Sequence, residues 1–186
     1  MGDDKNRVCP VELAGSLDNK IRRWLQNPQK ILKPYIKEGM TALDIGCGPG
    51  FFTIDIARLV GITGKVIAAD MQDGMLQKVD QKIRGSELEK IITLHKCGQD
   101  KIGLSEKVDF ILTFYMVHEV PGKESFFKEL KSILNDNGQY LLVEPKFFHV
   151  SKKAFEETLS IAENIGFRVI KKPEIFGSWT ALLANK

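Results

Sequence analysis

Cysteine is scarce in this chain. The three residues, Cys9, Cys47 and Cys97, show neither the spacing of a metal-binding motif nor a disulfide framework, and a reduced, cytoplasmic setting is expected. Long apolar runs are missing too. None approaches the ~20 residues of a membrane span, so no membrane span is expected. The polar start Met1-Gly2-Asp3-Asp4-Lys5-Asn6-Arg7 lacks the pattern of a secretory leader. Internal repeats and low-complexity tracts are absent. So is a strong charge of one sign: the net charge is +3, too small to argue for nucleic acid by itself. Its distribution is uneven, with eight Lys/Arg against five Asp/Glu over residues 1–38 and seven against four over 146–186. We read both as solvated surface charge. The 186 residues suit one domain, and 43% hydrophobic against 27% charged is an ordinary globular balance.

The most informative segment is Ala42-Leu43-Asp44-Ile45-Gly46-Cys47-Gly48-Pro49-Gly50-Phe51-Phe52-Thr53. It reads as a buried strand entering a glycine-rich turn and then a helix. Gly46, Gly48 and Gly50 allow a sharp turn and close approach to a ligand, and the helix directs its free N–H groups to the same place. Asp70 follows a second apolar run, Val66–Ala69, where a carboxylate suits two ribose hydroxyls. Together they predict a pocket for an adenosine-containing cofactor. The dinucleotide fingerprint is G-x-G-x-x-G. Here the spacing is G-x-G-x-G, and Phe51 stands in the place of that third glycine. Asp44 at the mouth of the turn would repel a pyrophosphate but suits a cationic amino group.

Strand and helix patterns alternate throughout, which predicts an α/β fold with a parallel sheet and helices on both faces. Expected strands lie at 41–45, 65–69, 91–95, 108–114, 139–143, 167–170 and 179–184, and expected helices at about 50–60, 73–84 and 123–134. Ser151 is a candidate N-cap for a helix ended by Gly166. Asp136-Asn137-Gly138 signals a turn before strand five. Residues 17–36 read as two short helices beside the sheet, in which Leu17, Ile21, Trp24 and Leu25 recur at helical spacing. Residues 1–38 form a helical segment available as a lid, and 39–186 the main domain.

Leu43-Asp44-Ile45-Gly46-Cys47-Gly48-Pro49-Gly50 resembles motif I of class I S-adenosylmethionine-dependent methyltransferases. Asp109–Leu112 with Phe114–His118 is similar to the fourth-strand motif of that family, and Leu134–Pro145 to its fifth-strand motif. The resemblance runs from about residue 30 to the end and is closest to the methyltransferase type 11 group, which includes quinone-biosynthesis enzymes. It implies a single Rossmann-like domain with a seven-stranded, mostly parallel sheet and an antiparallel last strand. It also implies S-adenosylmethionine as cofactor, with Asp44, Gly46, Cys47, Gly48 and Gly50 beside its methionine part and Asp70 on its ribose. Met71 would lie along the adenine, with plain core as the alternative. Cys47 is read as a small residue that fits rather than a reactive thiol. Gly98 stands where the family commonly has an aspartate, so Gln99 and Asp100 are the substitutes near the adenine amino group.

Ends of parallel strands face the ligand crevice, which places Phe114 to Glu119 on the acceptor side. Asn-Pro-Pro-Tyr, the signature of enzymes methylating exocyclic nucleic-acid amines, is absent. His118 is the general-base candidate, since an ordinary pKa of about 6.5 suits neutral pH; a structural hydrogen bond in the loop is the other reading. Glu144 stands near the same crevice as a second catalytic candidate. Lys146 and His149 follow it, and Lys146 suits an anionic substrate group. Glu119 is read as solvated. Cys9-Pro10 and Arg22-Arg23-Trp24 fall in the lid segment, with Trp24 read as an anchor packing the N-terminal helices onto the sheet. No metal is expected. Transfer of a methyl group to a small-molecule acceptor by in-line displacement is the function implied. The alternatives are an RNA or protein methyltransferase, or a non-catalytic cofactor-binding subunit; a homodimer stays open.

Overall fold

Apolar runs that do not alternate with polar residues mark strands covered on both faces. The computed structural model describes residues 20–98, 100–146 and 150–186, and Leu17, Cys9-Pro10, Gln99 and His149 lie outside them. Among the described residues, α1 (Lys20–Leu25) and α2 (Pro28–Leu32) precede β1 (Thr41–Ile45), α3 (Thr53–Val60), β2 (Lys65–Asp70), α4 (Asp73–Ile83) and β3 (Ile92–Lys96). Then come β4 (Val108–Phe114), α5 (Lys123–Ile133), β5 (Leu134–Pro145), α6 (Lys152–Ile165), β6 (Phe167–Lys171) and β7 (Ser178–Asn185).

The sheet order is β3-β2-β1-β4-β5-β7-β6. The first five strands pair in parallel, and β7 runs antiparallel between β5 and β6. Successive strand residues alternate between faces. Ala42, Val66, Ala68, Leu141 and Val143 join the layer that holds α2, α3 and α4. Leu43, Ile45, Ile67, Tyr140 and Leu142 join the opposite layer with α5 and α6. Helices α3 to α6 each present one apolar stripe, as in Leu76, Val79 and Ile83 of α4 or Phe126, Phe127, Leu130 and Ile133 of α5. The Ser151 hydroxyl accepts the Ala154 N–H at the start of α6, and Gly166 ends that helix at φ 107°. No helix among the described residues is long and apolar enough to cross a membrane.

Two expectations are corrected. Asp136-Asn137-Gly138 does not separate a helix from a strand, because β5 already begins at Leu134. Leu134 pairs with Val108 and Gln139 with Phe110, so the intervening residues bulge from the ladder. A Cβ on Gly138 would lie 2.5 Å from Leu134 Cδ1, so glycine is required in that crowded bulge.

Trp24 does not anchor the N-terminal helices; it is 81% exposed. Polar pairs hold them instead. The buried Asp55 carboxylate of α3 accepts from Arg23 at 2.8 Å and from Gln29 Nε2 at 2.8 Å. Buried Gln26 donates to the Tyr115 hydroxyl and to the Phe176 carbonyl. A buried carboxylate requires donors, and supplying them sets the rotation of α1 with Trp24 outward.

Candidate active site

The chain leaves β1 for β2 on one side, and β4 lies on the other. Such a reversal of strand order opens a crevice beyond the carboxyl ends of the strands. A cavity of about 290 Å³ lies there. Its floor is the glycine loop. The Gly46 N–H donates to the Ala69 carbonyl at 2.8 Å, and at φ 68° a Cβ would strike Met116 at 2.9 Å. Gly48, at φ 53°, has no atom within 4 Å of where a Cβ would stand, so its backbone faces open space. Gly50 does not line the cavity; its Cβ position is 3.2 Å from Val79 of α4, which makes it a packing glycine.

Two carboxylates flank this floor. Asp44 is 2% exposed and accepts the Thr53 hydroxyl at 2.6 Å. Burial pushes its pKa up to about 7, the Thr53 bond lowers it, and Asp70 raises it further. Asp70 Oδ2 accepts from Gly48 N at 3.0 Å and Oδ1 from Gln72 N at 2.9 Å. Those bonds oppose the upward pull of burial on its pKa and aim the carboxylate across the loop, where each oxygen retains acceptor capacity. Burial holds the Cys47 thiol well above its ordinary pKa, so it stays a protonated, small wall residue. Met71, Gly98 and Asp100 also line the cavity.

The opposite wall comes from the end of β4. Phe114 packs on Phe52 with centroids 4.3 Å apart. Tyr115 is the residue other than glycine with positive φ, 63°, among those described. The Gln26 bond and a 2.7 Å contact with Ser178 Oγ hold its hydroxyl there. A bulky residue in that region stores strain of ~1–2 kcal/mol, which such partners must hold.

His118 and Glu144 come together but do not line the cavity. Glu144, 2% exposed, accepts from Val117 N and His118 N at 3.0 Å each and from His118 Nδ1 at 2.8 Å. Burial alone would lower the His118 pKa; the Glu144 bond and the nearby Glu119 carboxylate outweigh it, and the net shift is upward. Glu119 does line the cavity, 3.9 Å from His118 Nε2, and burial raises its own pKa. Lys146 lies 4.5 Å above the Trp179 ring.

The parallel crevice, the glycine loop and the paired acids define a Rossmann-like fold built for an adenosyl amino acid. A family profile described as a methyltransferase domain matches residues 36–176, and the chain belongs to that family, the S-adenosylmethionine-dependent methyltransferases. A demethylmenaquinone methyltransferase from Lactobacillus johnsonii is 33% identical over 122 residues, 65% of this chain and 49% of that protein. The corresponding Bacillus subtilis enzyme is 25% identical over 66% of this chain and 52% of its own length. The chain thus spans about half the length of these curated relatives. A SAM-dependent methyltransferase from Aquifex aeolicus matches at TM-score 0.81 with 30% identity, over 94% of this chain and 99% of that one. A putative rRNA methylase from Clostridium thermocellum shares the fold at TM-score 0.70 with 20% identity, over 86% of this chain and 93% of that one.

The residues present fit that cofactor. Gly48 offers open backbone, Asp70 has two oxygens for vicinal hydroxyls, and Asp44 is a buried carboxylate suited to an ammonium group. Of the stretch 114–119 expected on the acceptor side, Phe114, Tyr115, Met116 and Glu119 line the cavity and Val117 and His118 do not; Arg22, expected only in the lid segment, lines it as well. Nothing local marks Tyr115 as left-handed. The solvated reading of Glu119 is corrected: its side chain is 29% exposed and lines the cavity.

Proposed function

We propose that this chain transfers a methyl group from S-adenosylmethionine to a small-molecule acceptor bound against the β4 wall. The observation that carries this reading is the juxtaposition in one cavity of a loop flanked by two carboxylates with an apolar wall of Phe114, Tyr115 and Met116, closed by Glu119. The cofactor supplies a methyl group already activated by a positive sulfur. Three tasks then fall to the protein. The glycine loop, Asp44 and Asp70 fix the donor, and such orientation supplies up to ~7–11 kcal/mol in favourable cases. The aromatic wall excludes water and orients the acceptor. Where the acceptor carries a proton, Glu119 faces the cavity to receive it, with His118 behind it and Glu144 holding the His118 ring.

The curated relatives are named for demethylmenaquinone, whose reduced quinol form is the nucleophile an activated methyl group requires, and an aromatic wall suits such a planar ring. RNA is the second reading. Residues 19–37 carry six Lys/Arg and no Asp/Glu, beside the exposed Trp24 ring. Incubating the chain with labelled S-adenosylmethionine and either quinol analogues or total RNA separates the two. Label in the quinol fraction supports the first. Label only in RNA, with retention on RNA that falls steeply with salt, overturns it.

A further inference from the structure

Helix α1 has two faces, and the fold occupies one of them. Arg22 stacks 4.4 Å from the Phe51 ring centroid, Arg23 pairs with Asp55, and Gln26, just past the helix end, binds the Tyr115 hydroxyl. Helical spacing turns Trp24 and Leu25 to the opposite face, where both are exposed. Gln26 also donates to the Phe176 carbonyl at 3.3 Å, which brings the β6–β7 connection beside α1, and Phe176 is 64% exposed. Three large apolar side chains, two of them aromatic, thus stand out from adjoining elements.

The charge around them is mostly of one sign. Lys30, Lys33 and Lys37, on and just after α2, are exposed. Lys171 at the end of β6 is exposed as well, and its Nζ lies 4.9 Å from the Tyr35 ring centroid, so β6 carries a fourth ammonium to the segment that follows α2. Acids offset this little. The Glu38 side chain passes beside Gly61 at the α3–β2 turn, which leaves Glu174 as the acid of the β6–β7 connection.

That combination selects among occupants. A second copy of this chain meeting the patch face to face would bring the same lysines, and like charges repel within about 10 Å. Three apolar side chains are also far fewer than the ~20–30 residues a side of a stable protein interface. RNA suits the lysines, but proteins that bind single strands set their stacking rings in a basic groove. Trp24 protrudes instead, and Leu25 has no ring to stack on a base. An anionic bilayer answers both features. Aromatic and aliphatic side chains enter the headgroup region, and each lysine near such a surface strengthens binding about fivefold.

We propose that the outer face of α1, with Phe176 beside it, docks this chain on a membrane surface rich in anionic headgroups. Trp24, Leu25 and Phe176 enter the interface, and Lys30, Lys33, Lys37 and Lys171 pair with lipid phosphates. Arg22 on the inner face of α1 lines the cavity, so docking sets the cavity at the bilayer surface, where apolar acceptors concentrate. The docking surface stands on exposure and charge and is independent of which acceptor the cavity takes.

Cosedimentation of the full chain with lipid vesicles tests it. Binding is expected where roughly one lipid in three is phosphatidylglycerol, at about 0.1 M salt, and falls steeply by about 0.5 M. Vesicles of phosphatidylcholine alone should bind at least about tenfold more weakly. Trp24→Ser with Phe176→Ser should weaken binding to the anionic vesicles about tenfold or more, and Lys30→Glu with Lys33→Glu by about as much. Tm should not change in either double variant, because all four side chains are exposed. Lipids brominated on their acyl chains should quench the fluorescence of the wild type more than that of Trp24→Phe. Equal binding to both kinds of vesicle, binding to neither, or double variants that bind as the wild type does would each overturn the proposal. Retention on polyuridylate in place of vesicles makes the patch an RNA surface, and a dimer that Trp24→Ser dissociates makes it an interface between copies; either result overturns the proposal too.

Discussion

Asp44 is the residue whose chemistry most depends on a ligand. Its folded pKa of about 7 against an ordinary 3.8 means that between those values the native chain binds a proton that the unfolded chain has released. By linkage, Asp44 makes the ligand-free protein less stable as pH rises through that window. A ligand ammonium reverses the preference, because it needs the carboxylate ionised. Affinity for S-adenosylhomocysteine should therefore rise as pH climbs from about 5.5 to 7, with a proton released on binding, and fall again only at more alkaline pH as the ligand amine loses its charge. Calorimetry in buffers of differing ionisation enthalpy measures both effects. In Asp44→Asn the lower limb disappears; a wild-type affinity flat across that range would remove Asp44 from the ammonium role. Glu144 belongs to the same scale. Its two oxygens serve three donors, and Glu144→Gln turns an NH₂ group toward at least one of them. We expect a loss of about 2–3 kcal/mol, seen as a fall in Tm of roughly 4–12 °C, with the His118 pKa dropping once its raising partner is gone. An unchanged Tm would show that the Glu144 bonds contribute nothing.

At the scale of elements, α1 and α2 depend on α3 through Asp55, which gathers Arg23, Gln29 and Arg58. Asp55→Ala should raise the opening of residues 20–37 about tenfold or more, read as faster tryptic cleavage at Lys30, Lys33 and Lys37 while the strands keep their amide protection. Equal loss of protection throughout would show that the two helices are not a separate unit. The same contacts explain what was legible in the sequence. β1 and β4 have their expected bounds because short, mostly apolar runs bounded by polar or glycine-rich segments leave little choice, and Ser151 and Gly166 bracket α6 by local chemistry alone. Trp24 was misread because the rotation of α1 is set by Asp55 and Tyr115, 32 and 89 residues from their partners Arg23 and Gln26. No periodicity carries that information. Asp136-Asn137-Gly138 was misread because a bulge and a turn ask for the same residue types. In the site, Asp44, Gly46, Gly48 and Asp70 were legible from spacing. That Gly50 packs on Val79, and that Glu144 is occupied by the backbone of 117–118, depends on elements meeting across the fold.

For the whole molecule, seven strands and their flanking helices frame the cavity beyond the carboxyl ends of the parallel strands. A ligand that binds the native state there must stabilise it, by about 2.7 kcal/mol at a hundred times its Kd. The most direct measurement is titration of the full chain with S-adenosylhomocysteine, wild type beside Asp70→Ala. We predict one-to-one binding by the wild type and at least about tenfold weaker binding by the variant, whose lost carboxylate would have accepted the ribose hydroxyls. No heat at millimolar ligand, or equal affinity in the two proteins, would contradict the account.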